Sequence, residues 1–301
     1  MPPLRFLVAE SELASERKER RDSVGQSSGE TYEAFLGKLL PSASIDLFRP
    51  IEHASRAPDL AGYDAVFLTG SPMHVQDETP DTRRVVEFMR AVFRSGTPSF
   101  GSCAGLQVAT VAAGGKVRSL PMRVEAGFAR RITPTEAGQH HPLLAGRPAS
   151  YDALTIHSDE VEELPDGATR LAGNAITSVQ AAEIRWEGGV FWGVQYHPEL
   201  TLGEVAAALR RQGDELIAAH LVRDAGEVEI YAGSIDALDR APDDPGLAWR
   251  LGLDREVTDP ERRSREVRNF VESLVLKIAD RRGRSPGRRS AATGTRTLLQ
   301  A

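Results

Sequence analysis

"PSFGSCAGLQ", Pro98–Gln107, holds the only cysteine of the 301-residue chain and sets it between glycines just after a short apolar run. Pro98 to Phe100 can end a strand, Gly101 and Gly105 stand two residues to either side of Cys103, and "LQVATVAA" can continue as a helix. A sharp strand-to-helix turn lined by small residues is how a nucleophile elbow exposes its reactive side chain. A thiolate there would feel the positive end of the helix dipole, and neighbouring backbone N–H groups could hold an oxyanion. The same residues suit a cysteine buried as a small hydrophobe in a glycine-lined turn, so this stretch alone leaves both readings open.

Working outward, "RFLVA" (Arg5–Ala9) and "AVFLT" (Ala65–Thr69) read as strands buried on both faces of a sheet. "ETYEAFLGKLL" (Glu30–Leu40) and "DTRRVVEFMRAVFRS" (Asp81–Ser95) carry apolar residues at helical spacing, with a helix start at Pro80 and Asp81. Alternating strand and helix imply an α/β fold: a doubly wound, mostly parallel sheet flanked by helices. After Gly115 the segments around "KVRSL", "RVEAGFARRI", "YDALTIH" and "VFWGVQY" predict a smaller strand-rich subregion. Leu202–Val222 and Pro260–Ala279 predict further helices, and Ser15–Glu30 predicts a long polar loop at the carboxyl edge of the sheet, able to close over a substrate.

Composition narrows the function classes. With 41% apolar residues the chain can build one large core, expected over residues 1–280. A single cysteine excludes an internal disulfide framework and a multi-cysteine metal site, and no metal or cofactor is expected. No apolar run approaches the roughly 18 residues of a membrane span, so the expectation is a cytoplasmic protein with no membrane association. A net charge of −6 argues against nucleic acid as a partner. "RRGRSPGRR" (Arg281–Arg289) has the composition of a disordered tail, placing a boundary at 281–301.

A cysteine nucleophile needs a base, and one of the seven histidines stands apart. In "VQYHPE" (Val194–Glu199), His197 ends an apolar strand, Pro198 sets the chain direction, and Glu199 follows close enough to orient the imidazole. Nucleophile, base and orienter would then be complete.

"GSCAGLQ" together with "GVQYHPE" resembles the signature of the class I, or triad, glutamine amidotransferases. "YDAVFLTGSP" resembles the oxyanion loop of that family, and "IHSDEVEELPDGA" the substrate-side loop of the branch similar to the amidotransferase part of GMP synthetase. The resemblance implies a thioester mechanism on glutamine or another γ-glutamyl amide, with Cys103 as nucleophile, His197 as base and Glu199 as its orienter. It implies backbone oxyanion donors near Gly70 and Ala104, and substrate contacts from Gln107, His157, Ser158 and Asp159. For Gln107 the alternative is a tie between the elbow helix and a loop.

Two features depart from the family pattern. Leu202–Asp259 reads as an insertion, either an interaction surface or lid or a thickening of one side of the domain. No G-x-x-x-x-G-K-[ST] phosphate loop is present, so ammonia has no evident acceptor in this chain. The primary expectation is therefore a glutaminase serving a separate synthetase. The alternatives are a stand-alone γ-glutamyl hydrolase or peptidase, and a catalytically silent binding protein.

Overall fold

Strand β1 (Arg5–Ala9) sends alternate residues to opposite faces, Phe6 and Val8 into one apolar cluster and Leu7 and Ala9 into another. Such a strand must be covered on both sides, which is the reason for a three-layer arrangement. The computed structural model describes residues 3–53, 58–120 and 124–282. The arginine-rich tail expected from 281 onward lies outside the described residues beyond Arg282.

Among the described residues the remaining strands are β2 (Ser44–Phe48), β3 (Ala65–Leu68), β4 (Ser99–Ser102), β5 (Lys116–Ser119), β6 (Glu125–Pro134), β7 (Tyr151–His157), β8 (Asp159–Glu163), β9 (Ala168–Gly173), β10 (Ala181–Trp186) and β11 (Gly189–Val194). Nine form one mixed sheet in the order β2-β1-β3-β4-β11-β10-β9-β6-β7, and β5 and β8 pair separately. From β2 to β11 all neighbours are parallel, and from β11 to β7 all are antiparallel. The first part is the expected doubly wound sheet flanked by helices, and the second is the strand-rich subregion.

Helices cover both faces. Tyr32 and Leu36 of Ser28–Leu39, with Val267 and Phe270 near the C-terminal end, pack on the Phe6 side. Met89 and Phe93 of Pro80–Ser95 and Leu106 of Ala104–Ala112 pack on the Leu7 side. The C-terminal helical run widens into a π turn at Val271–Val275, so the expected helix is not uniform. No helix of the described residues is long and apolar enough to cross a membrane.

The polar loop expected over Ser15–Glu30 is instead helix Ala14–Val24 and the start of Ser28–Leu39. Two of its charges are withdrawn from solvent. Arg17 and Arg20 are buried, Arg20 pairing with Glu204 at 3.0 Å, while Ser27 and Glu30 form a capping box for the second helix. Composition alone reads buried, paired arginines as an exposed loop.

The insertion Leu202–Asp259 is helical, beginning with Leu202–Arg211, Gly213–Ala218 and Ala225–Arg240. The single helix expected to Val222 breaks at Gln212 and ends at Ala218, leaving Leu221 53% exposed, whereas Leu209 and Leu216 are buried as their spacing implies. The insertion shares an apolar cluster with Phe128 of β6 and Leu154 of β7, so it thickens the domain against the antiparallel part of the sheet.

Arg147 fastens the C-terminal helices to the sheet. Its buried guanidinium bonds Glu256 at 2.8 Å and Glu266 at 2.6 Å, and Glu266 accepts the Tyr196 hydroxyl at 2.8 Å. Arg147→Met leaves the buried Glu266 without its cation and should cost about 3–5 kcal/mol. A lowered urea midpoint with an unchanged slope is expected; an unchanged midpoint would contradict it.

Candidate active site

Cys103 stands between the end of β4 and the helix Ala104–Ala112, with φ 52° and ψ −113°. A non-glycine residue at positive φ is strained, and the surroundings hold it there. Cys103 N–H donates to Val194 O of β11 at 2.8 Å, and Leu106 N–H returns to Cys103 O at 3.0 Å. At Gly105 a Cβ would lie 2.7 Å from Leu68 O, so only glycine lets the helix start this close to β3. The elbow read from the sequence is therefore the local geometry. The thiol is largely buried but lines a pocket.

β11 runs parallel beside β4, and the chain past its end brings His197 and Glu199 over the same edge. His197 Nδ1–H donates to Glu199 Oε1 at 2.7 Å, the Cys103 thiol lies 3.9 Å from Ile156 O, and both His197 and Cys103 line the same pocket. Burial disfavours the imidazolium, but the charge and hydrogen bond of Glu199 and the neighbouring Cys103 outweigh it, raising the His197 pKa to about 10. Glu199 is itself held: Ser102 Oγ donates to Oε1 at 2.9 Å, and the buried Tyr32 hydroxyl lies 2.7 Å from Ser102 Oγ. Because Ser102 gives its hydrogen to Glu199, Tyr32 is the donor to Ser102. Ser102 and Tyr32 were not legible as site residues.

The expected oxyanion positions flank the thiol. Gly70 follows β3, and a Cβ on it would come within 2.7 Å of His197 Cε1 and 3.5 Å of Cys103 Cβ. Ala104 opens the elbow helix, where the first amides have no acceptor within the helix.

The expected substrate residues Gln107, His157, Ser158 and Asp159 all line the same pocket, yet several of their polar groups are engaged within the protein. Gln107 Nε2 donates to Asp159 O at 3.0 Å and to Gln195 Oε1 at 3.3 Å, which is the helix-to-loop tie. His157 points both ring nitrogens at acceptors, Asp159 O at 2.8 Å and Glu125 Oε2 at 2.9 Å, so neither is available as a base. For Glu125, burial opposes ionisation, but His157, Asn174 and Gln180 more than compensate and lower its pKa. Asp159 receives His74 Nδ1–H at 2.7 Å, Ser119 Oγ at 2.9 Å and Gln76 Nε2 at 3.0 Å. Its carboxylate braces the loop that follows Gly70.

The pocket lining also includes Arg20 and Ser28 of the stretch read as able to close over a substrate, and, not singled out by sequence reasoning, Glu12 and Thr31 beside it and Arg211 and Gln212 from the insertion. Their common signal is position, since each group follows an element ending at the carboxyl edge of the sheet. Among the described residues no group of three or more His, Cys, Asp or Glu is arranged to hold a metal ion.

Residues 42–214 match the glutamine amidotransferase class-I family, and the chain belongs to it. It is 33% identical over 290 residues to a γ-glutamyl-L-1-hydroxyisopropylamide hydrolase from Pseudomonas sp., the match covering 94% of this chain and 97% of that one. A glutamine-hydrolysing GMP synthase from Leifsonia xyli is 31% identical over 161 residues, 53% of this chain but 31% of the synthase. A glutamine amidotransferase from Thermotoga maritima shares the fold at a TM-score of 0.58 and 18% identity, with 91% of this chain and 99% of that one covered.

The His197 titration follows from the contacts above. Its folded pKa lies above the ordinary 6.5, so the contacts stabilise the fold in full below pH 6.5, and that contribution is lost as the pH rises through about 10. NMR of the imidazole should show the proton retained at neutral pH, and Glu199→Gln should move the transition downward. A wild-type transition near 6.5 would contradict this.

Proposed function

We propose that the protein is a γ-glutamyl amide hydrolase acting through a thioester on Cys103. In this reading the thiolate attacks the side-chain carbonyl carbon, and the oxyanion is held by backbone N–H groups near Gly70 and Ala104, each worth about 3 kcal/mol in comparable sites. The C–N bond breaks as His197 gives its proton to the departing nitrogen. Water, deprotonated by His197, then attacks the thioester, releasing glutamate and restoring the thiol pair. Glu199 keeps Nδ1 protonated and Nε2 aimed at the reacting atoms.

One observation carries the choice of hydrolase over glutaminase subunit. The insertion that follows Glu199 supplies part of the pocket wall around Cys103, through Ala208, Arg211 and Gln212, so this chain itself contributes an added surface for the group beyond the carboxamide. The near full-length similarity to a γ-glutamyl amide hydrolase supports the same reading. The partial similarity to GMP synthases favours the second reading, ammonia production for a separate synthetase.

The assay is glutamate release from glutamine and from a panel of γ-glutamyl amides. The expected result is a higher kcat/KM on at least one substituted amide than on glutamine. Glutamine as the best substrate, with activity rising when cell extract is added, would instead favour the synthetase partner. Cys103→Ser should remove turnover while leaving the unfolding transition in place, and Glu199→Gln should lose less than His197→Ala. A Cys103→Ser variant that keeps most of its activity would rule out the thioester.

A further inference from the structure

Tyr32 is a polar exception in an apolar layer. It is 1% exposed, in the cluster that contains Phe6, Phe67 and Phe100, where its ring alone serves the packing. A buried hydroxyl needs a partner, and this one has Ser102 Oγ at 2.7 Å. Burial pushes the phenol well above its ordinary value, so it keeps its hydrogen and stays a donor.

Ser102 ends β4, also fully buried, and its one hydrogen goes to Glu199 Oε1 at 2.9 Å. The same oxygen accepts His197 Nδ1–H at 2.7 Å, whereas Glu199 Oε2 is buried without a hydrogen-bond partner. Both donors therefore act on one oxygen, and the charge of that oxygen is divided between them. Removing one donor leaves more of the charge to the other. Ser102 thus weakens the hold of Glu199 on the imidazolium, and the reaction needs that, because His197 must surrender a proton to the departing nitrogen.

We propose that Ser102 and Tyr32 are positioning residues of the reaction, a hydroxyl pair that shares Glu199 Oε1 with His197 and so sets how readily His197 releases its proton. The inference rests on the thioester reading above. Tyr32 acts through Ser102, since donating to Oγ makes the serine hydroxyl a stronger donor. Neither residue lines the pocket, so both reach the substrate only through Glu199 and His197.

This role differs in sign from plain support. A hydroxyl that merely steadied Glu199 would, when lost, loosen the contact with His197 and let the imidazole transition fall toward its ordinary 6.5. Loss of a competing donor moves the transition up instead. The other ionisable groups around the pair are Cys103 of the elbow and, along the pocket, Glu12, Arg20, His157, Asp159 and Arg211. None of these is altered in the variants below.

Imidazole NMR against pH, with kinetics on the γ-glutamyl amide hydrolysed best, tests the pair in Ser102→Ala, Tyr32→Phe and the double variant. Ser102→Ala should raise the His197 transition above that of the wild type. It should also lower kcat about tenfold, the scale of one hydrogen bond to a charged group, with KM within about twofold. Tyr32→Phe should move both in the same direction by less. The double variant leaves no hydroxyl unpaired, so it should regain stability that Ser102→Ala loses, but not the rate. Ser102→Thr, which keeps a hydroxyl, should restore part of the rate. Should Ser102→Ala fail to fold, the double variant and Tyr32→Phe still decide. A His197 transition that falls or stays in place, a rate that the double variant recovers, or a change confined to KM would overturn the assignment. The transition is read in the resting protein, so it fails separately from the reaction. Turnover of no γ-glutamyl amide would overturn the thioester reading, and the part of the hydroxyl pair in the rate with it.

Discussion

The backbone of Cys103, held at φ 52°, is the constraint on which the rest of the site depends. Such a conformation costs on the order of 1–3 kcal/mol and survives only where the surroundings impose it. They do so from three directions: the amide is tied to Val194 of β11, Gly105 presses against Leu68 of β3, and the helix from Ala104 begins at once. The two flanking strands therefore set the thiol's position. The same strands end in Gly70 and, past Val194, in His197, so one parallel pairing pattern delivers the thiol, the imidazole and the Gly70 turn to one edge.

Electrostatics then fix the orientation of what the strands deliver. Tyr32, Ser102, Glu199 and His197 form a chain of hydrogen bonds that ends at the imidazole, and its first member sits on the helix covering the sheet. Tyr196, next to His197, is bonded to Glu266 in the C-terminal helical run, which Arg147 anchors. On the other side Arg20 joins the first helix to Glu204 in the insertion. Buried charge pairs of this kind add little net stability compared with apolar packing, but breaking one is costly, so they hold register between layers. The pocket is thus bounded by elements from both ends of the chain.

What could be read from the sequence was what is encoded locally. The small residues around Cys103 and the apolar run before His197 each specify a strand end within a few residues, and the central strands reveal themselves by burial on both faces. What escaped was set by distant partners. Arg20 reads as a solvated charge until Glu204, 184 residues away, is brought beside it, and so Ser15–Glu30 appeared as a loop. For Gln107 the sequence leaves a substrate contact and a helix-to-loop tie both open; its donation to the Asp159 backbone, and the contacts of His74, Gln76 and Ser119 with the Asp159 carboxylate, come from partners 40 or more residues away. Arg211 belongs to an ordinary amphipathic helix in sequence; only the packing of the insertion against β6 and β7 brings it to the pocket wall.

The central claim is covalent: the γ-glutamyl group passes through the sulfur of Cys103. Rapid acid quenching of the protein during turnover of a γ-glutamyl amide, followed by peptide mass spectrometry, tests it most directly. A mass increase equal to one γ-glutamyl group on the peptide containing Cys103, absent without substrate and discharged by hydroxylamine, is the predicted result. Turnover with no adduct at any quench time, or an adduct on another residue, would contradict it.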